Sequence, residues 1–145
     1  MPKQYKYKIL FLCTGNSCRS QMAEGWARAL KGEEMEAWSA GIETHGLNPL
    51  AVAVMAEAGV DISGRRSTLI EDLEEKDFDY VVTVCDNARE SCPRFPGRAR
   101  IVHRSFDDPP ALAAGLTEKE EILDQYRRVR DEIRTFVQGL PDNLE

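Results

Sequence analysis

A cysteine, five residues and an arginine follow the first apolar run of the chain, and this spacing could hold an anion against a nucleophile. The motif reads CTGNSCRS and lies between a predicted strand and a predicted helix. Five residues can curl so that their backbone N–H groups point inward, while the dipole of the following helix adds positive potential. Gly15 and Asn16 are the residue types that most easily adopt the positive φ that such a curl demands. The residues predicted to bind a tetrahedral oxyanion are Thr14, Gly15, Asn16, Ser17, Cys18, Arg19 and Ser20.

Cys13 and Arg19 have the chemistry of a nucleophile and an anion clamp. The planar guanidinium of Arg19 can donate hydrogen bonds to two oxygens of one anion. The same positive field should lower the pKa of Cys13 and favour its thiolate, to which Ser20 could donate a hydrogen bond. A buried structural cysteine is the alternative for Cys13 taken alone, but the combination of motif and flanking elements favours catalysis. No chemical role is demanded of Cys18, which is interpreted as part of the loop structure.

Cys85 and Cys92 lie seven positions apart and could act as a redox pair. If the segment between them is helical, their Cα atoms lie about 10.5 Å apart along the axis, whereas a disulfide spans only about 4.4–6.8 Å. A bond between them would therefore require the segment to unwind. A buried structural thiol and an ordinary loop thiol remain the alternatives at this point. Zinc is not expected, because the cysteine spacings contain no C-x2-C pair.

The elements that must position these residues alternate between strand and helix. Apolar runs predict strands at Tyr7–Leu12, Met35–Ser39, Tyr80–Val84 and Arg100–Arg104. Helical periodicity and end signals predict helices from about Ser17 to Gly32, from Asn48 to Gly59 and over Ile122–Leu140. This alternation predicts one doubly wound α/β domain with a parallel sheet, spanning residues 1–145. Since ligands bind beyond the carboxyl ends of such strands, Cys13, Cys85 and Asp108 are expected at one edge of the sheet.

Composition restricts the function classes further. The chain has 145 residues, 42% of them hydrophobic and 30% charged, with a formal net charge of −6. That length is typical of one domain, and the negative charge disfavours nucleic acid and anionic membranes as partners. No apolar run is long enough for a membrane span or a signal peptide, so we expect a cytoplasmic location, where thiols stay reduced. A monomer without metal or cofactor is expected.

The loop from Cys13 to Ser20 resembles that of the low-molecular-weight protein tyrosine phosphatases. The longer stretch CTGNSCRSQMAEGW is similar to the arsenate reductases built on the same fold, and the likeness extends over nearly the whole chain. It continues in the segments Ser39–Gly46, Asp61–Ser63, Val81–Asp86, Phe106–Pro109 and Arg128–Ile133. The resemblance implies a four-stranded parallel sheet flanked by helices, arsenate as the substrate, its reduction to arsenite by thiols, and thioredoxin as the electron donor.

The resemblance also implies roles for individual residues. Asp108, directly before Pro109, matches the general acid of the family, and Asp107 is the weaker candidate. Cys13 is then the nucleophile, and Cys85 followed by Cys92 resolves the intermediate, so that the cycle ends in a Cys85–Cys92 disulfide. Phosphatase activity is expected only as a weak side reaction.

Two other functions compete with this interpretation. The first is a low-molecular-weight tyrosine phosphatase whose extra thiols protect the nucleophile. It is disfavoured because the segment after Asp108-Pro109 reads PALAAG and contains no aromatic residue to hold a phosphotyrosine ring. The second is a regulator that binds an oxyanion without turnover. Asp108 argues against it, because binding alone needs no general acid.

Overall fold

A computed structural model describes residues 6–75, 77–85 and 99–144. Its strands are β1 (Tyr7–Cys13), β2 (Met35–Gly41), β3 (Tyr80–Thr83) and β4 (Arg100–His103). Its helices are α1 (Arg19–Lys31), α2 (Pro49–Glu57), α3 (Pro109–Ala113) and α4 (Lys119–Gln138), with short 3-10 turns at Ile70–Asp72 and Asp142–Leu144. All strand pairs are parallel, in the order β2-β1-β3-β4. The predicted α/β class and four-stranded sheet are confirmed.

Strand β1 forms the centre of the sheet and carries the motif cysteine at its end. Residues Ile9 to Leu12 are fully buried, as expected for a strand covered by helices on both faces. Cys13 pairs with Gly41 of β2, and the N–H of Val84 donates to the carbonyl of Leu12 at 2.9 Å. The carboxyl ends of β1, β2 and β3 therefore meet at one edge, and this edge carries the candidate site.

Helix α1 begins at Arg19, two residues later than predicted, because the preceding residues form the loop. Cys18 is its N-terminal flanking residue and makes no capping hydrogen bond through its side chain. The first turn also contains no acidic residue. The unpaired N–H groups and the positive end of the helix are thus left available to an anion in the loop. The helix ends at Lys31, with Gly32 as its C-terminal capping residue, as predicted.

A buried carboxylate ties α1 to the sheet. Glu24 is only 4% exposed and accepts a hydrogen bond of 2.6 Å from the Ser39 hydroxyl of β2. Arg28 reaches the same carboxylate at 2.8 Å, and Arg65 forms a further ion pair with it. A buried carboxylate needs such partners, because its transfer from water is costly.

Helices α2 and α4 pack against each other and against α1. Asn48 caps α2, since its Oδ1 accepts from Leu50 N at 2.8 Å, and Pro49 occupies the first helical position, as predicted. The apolar stripe of α4 is buried, with Val129 and Ile133 fully so, which confirms its predicted periodicity. Within the described residues, no helix has the length and apolar character needed to cross a membrane.

Several boundaries differ from those predicted. Strand β2 extends two residues further, to Gly41, while β3 and β4 each end one residue earlier, at Thr83 and His103. Helix α2 ends at Glu57, before Gly59, whose φ is +88°. Helix α3 is an unpredicted element that begins on consecutive prolines. Cys92 and the segment between it and Cys85 lie outside the described residues.

Candidate active site

The loop after β1 forms one side of a cavity of about 280 Å³. Seven of the predicted residues line it, namely Cys13, Thr14, Gly15, Ser17, Cys18, Arg19 and Asp108. His45, from the segment after β2, and Pro110 of α3 complete the lining. A cavity of this size, with a cysteine at one side and an arginine at another, can hold a small tetrahedral anion.

Asn16 shapes the loop from beneath rather than lining the cavity. It is fully buried and has a φ of +49°, which confirms the predicted left-handed residue. Its Oδ1 accepts hydrogen bonds from Gln21 Nε2 at 3.1 Å and from Thr68 N at 2.8 Å. Its backbone carbonyl accepts from Gln21 and from the Ser67 hydroxyl. These bonds offset the cost of a left-handed non-glycine residue.

Ser20 is fully buried beside Asn16 and does not line the cavity either. Its hydroxyl oxygen accepts a hydrogen bond of 2.8 Å from Asn16 Nδ2. Because the oxygen accepts here, the hydroxyl proton stays available, and its predicted donation to Cys13 remains a prediction.

Gly15 serves a purpose other than the predicted one. Its φ is not positive, so conformational freedom does not explain a glycine here. A Cβ at this position would instead overlap the imidazole ring of His45. Gly15 is therefore required by the close approach of that ring.

Cys13, which ends β1, and Cys85, which follows the paired strand β3, are buried neighbours at the same edge of the sheet. Both are free thiols, 4% and 3% exposed. The Thr14 hydroxyl lies 3.2 Å from Cys85 Sγ and so connects the loop to the second cysteine. Two of the three cysteines with a predicted catalytic role are thus brought together.

The prediction of a lowered pKa for Cys13 is wrong for this arrangement. The hydrogen bond with Cys85 raises the pKa of Cys13, and burial raises it further. The charge of Arg19 and the backbone N–H of Thr14 act in the predicted direction but are outweighed. Burial likewise raises the pKa of Cys18 to about 12, with the charge of Asp108 contributing. Cys18 therefore stays a neutral thiol near neutral pH, which fits the structural role predicted for it.

Arg19 connects the anion loop to the candidate general acid. Its Nη1 donates to the carbonyl of Phe106 at 3.0 Å, and its Nη2 lies 3.6 Å from Asp108 Oδ1. Its Nε is buried and has no hydrogen-bond partner among the described residues. An oxyanion in the cavity would supply an acceptor for this orphaned donor.

The two candidate acids have different surroundings. Asp108 lines the cavity, immediately before Pro109 at the start of α3. Asp107 pairs instead with Arg128 of α4 at 3.3 Å, and its side chain is 63% exposed. Of the two, Asp108 is the carboxylate at the cavity, and its role as the proton donor stays a prediction.

His45 is the cavity residue that sequence reasoning missed. The sequence motifs assign it no role. The available signal was its position a few residues after the end of β2, at the edge of the sheet where ligands bind.

Known proteins with similar sequences support a single family. The model of the family described as low molecular weight phosphotyrosine protein phosphatase matches residues 8–145. Arsenate reductase 2 of Staphylococcus saprophyticus is 48% identical over 138 residues, which cover 95% of this chain and 98% of that protein. Arsenate reductase of Bacillus subtilis is 51% identical over 125 residues, covering 86% and 88% of the two chains.

Solved structures give the same result. A structure described as an arsenate reductase in the phosphate binding state aligns with a TM-score of 0.75 at 31% identity, covering 96% of this chain and 99% of that one. A low molecular weight protein tyrosine phosphatase from T. tengcongensis aligns with a TM-score of 0.72 at 27% identity, covering 95% of this chain and 99% of that one. The chain therefore belongs to the low-molecular-weight phosphotyrosine protein phosphatase family, in which these two relatives of about 50% sequence identity are named arsenate reductases.

Proposed function

We propose that this protein is an arsenate reductase, which converts arsenate to arsenite through a relay of Cys13, Cys85 and Cys92. The observation that carries the proposal is the placement of a second buried free thiol, Cys85, next to the loop of Cys13, where the Thr14 hydroxyl lies 3.2 Å from Cys85 Sγ beside the oxyanion cavity. A phosphatase of this fold needs only the first cysteine, the arginine and the acid. A second thiol in contact with the nucleophile is what a redox step requires.

The first step is substitution at arsenic. Arsenate occupies the cavity with its oxygens on the loop N–H groups and Arg19, and the Cys13 thiolate attacks the As(V) centre. An S–As bond forms and one As–O bond breaks. Asp108 gives its proton to the departing oxygen, which leaves as water. The position of Asp108 in the lining of the cavity, within reach of a bound anion, supports this assignment.

The second step transfers the electrons. The Cys85 thiolate attacks Sγ of Cys13, forming a disulfide, and the S–As bond breaks with its electron pair staying on arsenic. Arsenic is thereby reduced from As(V) to As(III), while the two cysteines are oxidised by the same two electrons. The thiol contact between Cys13 and Cys85 supports this order, because the resolving sulfur needs only a short movement.

The third step restores the nucleophile. The Cys92 thiolate attacks Sγ of Cys85, so that Cys13 leaves as a thiolate and a Cys85–Cys92 disulfide remains. A dithiol protein, for which the family resemblance implies thioredoxin, reduces this disulfide by the same exchange. The protein would act in the cytoplasm, where such reductants keep free thiols reduced.

A turnover assay tests the proposal. Reduced protein, arsenate, thioredoxin, thioredoxin reductase and NADPH should give many equivalents of arsenite per protein, and Cys85→Ser or Cys92→Ser should stop multiple turnover. Hydrolysis of para-nitrophenyl phosphate is measured in parallel. Efficient hydrolysis that both substitutions leave intact, without arsenite release, would establish the phosphatase instead. Stoichiometric arsenate binding without turnover of either substrate would establish the regulator.

A further inference from the structure

The segment after β2 lies alongside the anion loop and is held there by its backbone. Ile42 N donates to Cys13 O at 3.3 Å, Glu43 N to Thr14 O at 2.8 Å, and His45 N to Gly15 O at 3.1 Å. These bonds fix the register between the segment and the loop. The position of His45 at the cavity is therefore set by the backbone, whatever its side chain contacts.

The imidazole ring of His45 covers the loop at Gly15. A Cβ added to Gly15 would overlap the ring, and Nδ1 is the ring atom nearest to that position. The other ring nitrogen, Nε2, lies 2.5 Å from Glu43 Oε2. The Glu43 carboxylate thus contacts Nε2, while Nδ1 lies next to Gly15, and both Gly15 and His45 line the cavity.

We propose that His45 is a further oxyanion-binding residue, whose Nδ1 makes a hydrogen bond with an oxygen of bound arsenate or phosphate, and that Glu43 positions its ring. This inference rests on the proposed function for its physiological ligand. It adds to Arg19 a second side chain of the cavity lining that contacts the anion.

An imidazole contributes chemistry that Arg19 does not. A guanidinium only donates hydrogen bonds, whereas an imidazole nitrogen accepts or donates according to its protonation. With Nε2–H donated to Glu43, a neutral ring presents Nδ1 as an acceptor for the hydroxyl of a singly protonated arsenate or phosphate. A protonated ring donates from Nδ1 to an unprotonated oxygen. Glu43 is compatible with both states, because it accepts from Nε2 in each.

Calorimetric titration of the reduced full chain with inorganic phosphate tests this assignment without turnover. His45→Phe keeps a ring over Gly15 but removes the polar atom, and should weaken phosphate binding about tenfold. His45→Asn places an amide nitrogen or oxygen near the position of Nδ1 and should stay within about threefold of the wild type. Glu43→Ala should weaken binding about threefold, while Glu43→Gln keeps an acceptor for the ring and should weaken it less. Thr44→Ala, at the exposed position between the two residues, is the matched control.

Arsenate kinetics provide the second arm. For His45→Phe the KM for arsenate should rise with the phosphate Kd, while kcat at saturation changes by less than about twofold. Phosphate binding by His45→Phe that equals the Thr44→Ala control overturns the assignment. If His45→Phe does not fold, equal Kd values for Glu43→Ala, Glu43→Gln and wild type overturn it instead. If phosphate binding weakens as expected but no arsenite is formed by the wild type, the proposed reductase function fails and the role of His45 stands.

Discussion

Cys13 ends strand β1 and Cys85 lies two residues beyond β3, and Cys85 raises the pKa of the buried Cys13 thiol. Strand pairing places the two cysteines together, because β1 and β3 are parallel and the N–H of Val84 donates to the carbonyl of Leu12. This arrangement would serve the proposed electron-transfer step, but it also disfavours the thiolate of Cys13.

Cys85→Ser should make Cys13 more reactive towards alkylation. The substitution removes the largest cause of the raised pKa of Cys13, so its thiolate fraction at neutral pH increases. The pH profile of iodoacetamide labelling at Cys13 should therefore shift to lower pH, by about one unit or more. Labelling is followed by peptide mass spectrometry, and Cys18, whose pKa is raised to about 12, should stay unreactive in both proteins. An unchanged or slower reaction at Cys13 would contradict the assigned cause.

Asn16→Ala should destabilise the fold as well as the loop. It removes the buried bonds to Gln21, Thr68 and Ser20, and leaves a residue with a Cβ at φ +49°. We expect a loss of about 2–4 kcal/mol in the free energy of unfolding. Asn16→Gly removes the same bonds without the backbone strain and should lose about 1 kcal/mol less. Urea unfolding measures both, and equal losses would show that the strain makes no contribution.

Substitution of the adjacent residues Asp108 and Asp107 should have different effects on arsenate turnover. Asp108→Asn removes the proposed proton donor from the cavity wall and should lower kcat for arsenate by about 100-fold or more. Asp107→Asn removes only an exposed pair with Arg128 and should stay within about twofold. Steady-state arsenite production measures both variants. A larger loss for Asp107→Asn would reverse the assignment.

Gly15→Ala should weaken oxyanion binding although alanine adds a single methyl group. That methyl group would overlap the His45 ring, so the ring must leave its position over the loop. Phosphate binding should weaken by about tenfold, as for His45→Phe. Gly64→Ala is the matched control, because a Cβ there meets nothing within 4 Å and its effect on binding should be negligible. If Gly15→Ala binds phosphate as tightly as the wild type, oxyanion binding does not depend on the His45 ring in its position over Gly15.

The sequence predicts the parts of the site that depend on local pattern. The apolar run of β1, the positive φ of Asn16 and the cap at Asn48 are local signals, and the structure confirms each. The edge that gathers Cys13, Cys85 and Asp108 also follows from parallel topology alone. The predicted ends of strands and helices are less accurate. A strand extends as far as its neighbour can pair with it, and β2 therefore continues to Gly41, which pairs with Cys13.

Features that arise from contacts between distant segments were not predicted. The role of Gly15 depends on the ring of His45, which reaches it from the segment after β2. The raised pKa of Cys13 depends on the hydrogen bond with Cys85, so reasoning from the loop and helix dipole gave the wrong direction. Helix α3 begins on two prolines, and its sequence has no apolar periodicity to reveal it.

Trapping the disulfides of the relay tests the central claim most directly. Reduced protein is incubated with arsenate, alkylated and analysed by peptide mass spectrometry. Cys92→Ser should accumulate a Cys13–Cys85 bridge with one equivalent of arsenite, and the wild type should accumulate a Cys85–Cys92 bridge with Cys13 alkylated. Arsenite release without a Cys13–Cys85 bridge in Cys92→Ser would contradict the account, because the electrons would then have come from another pair of thiols.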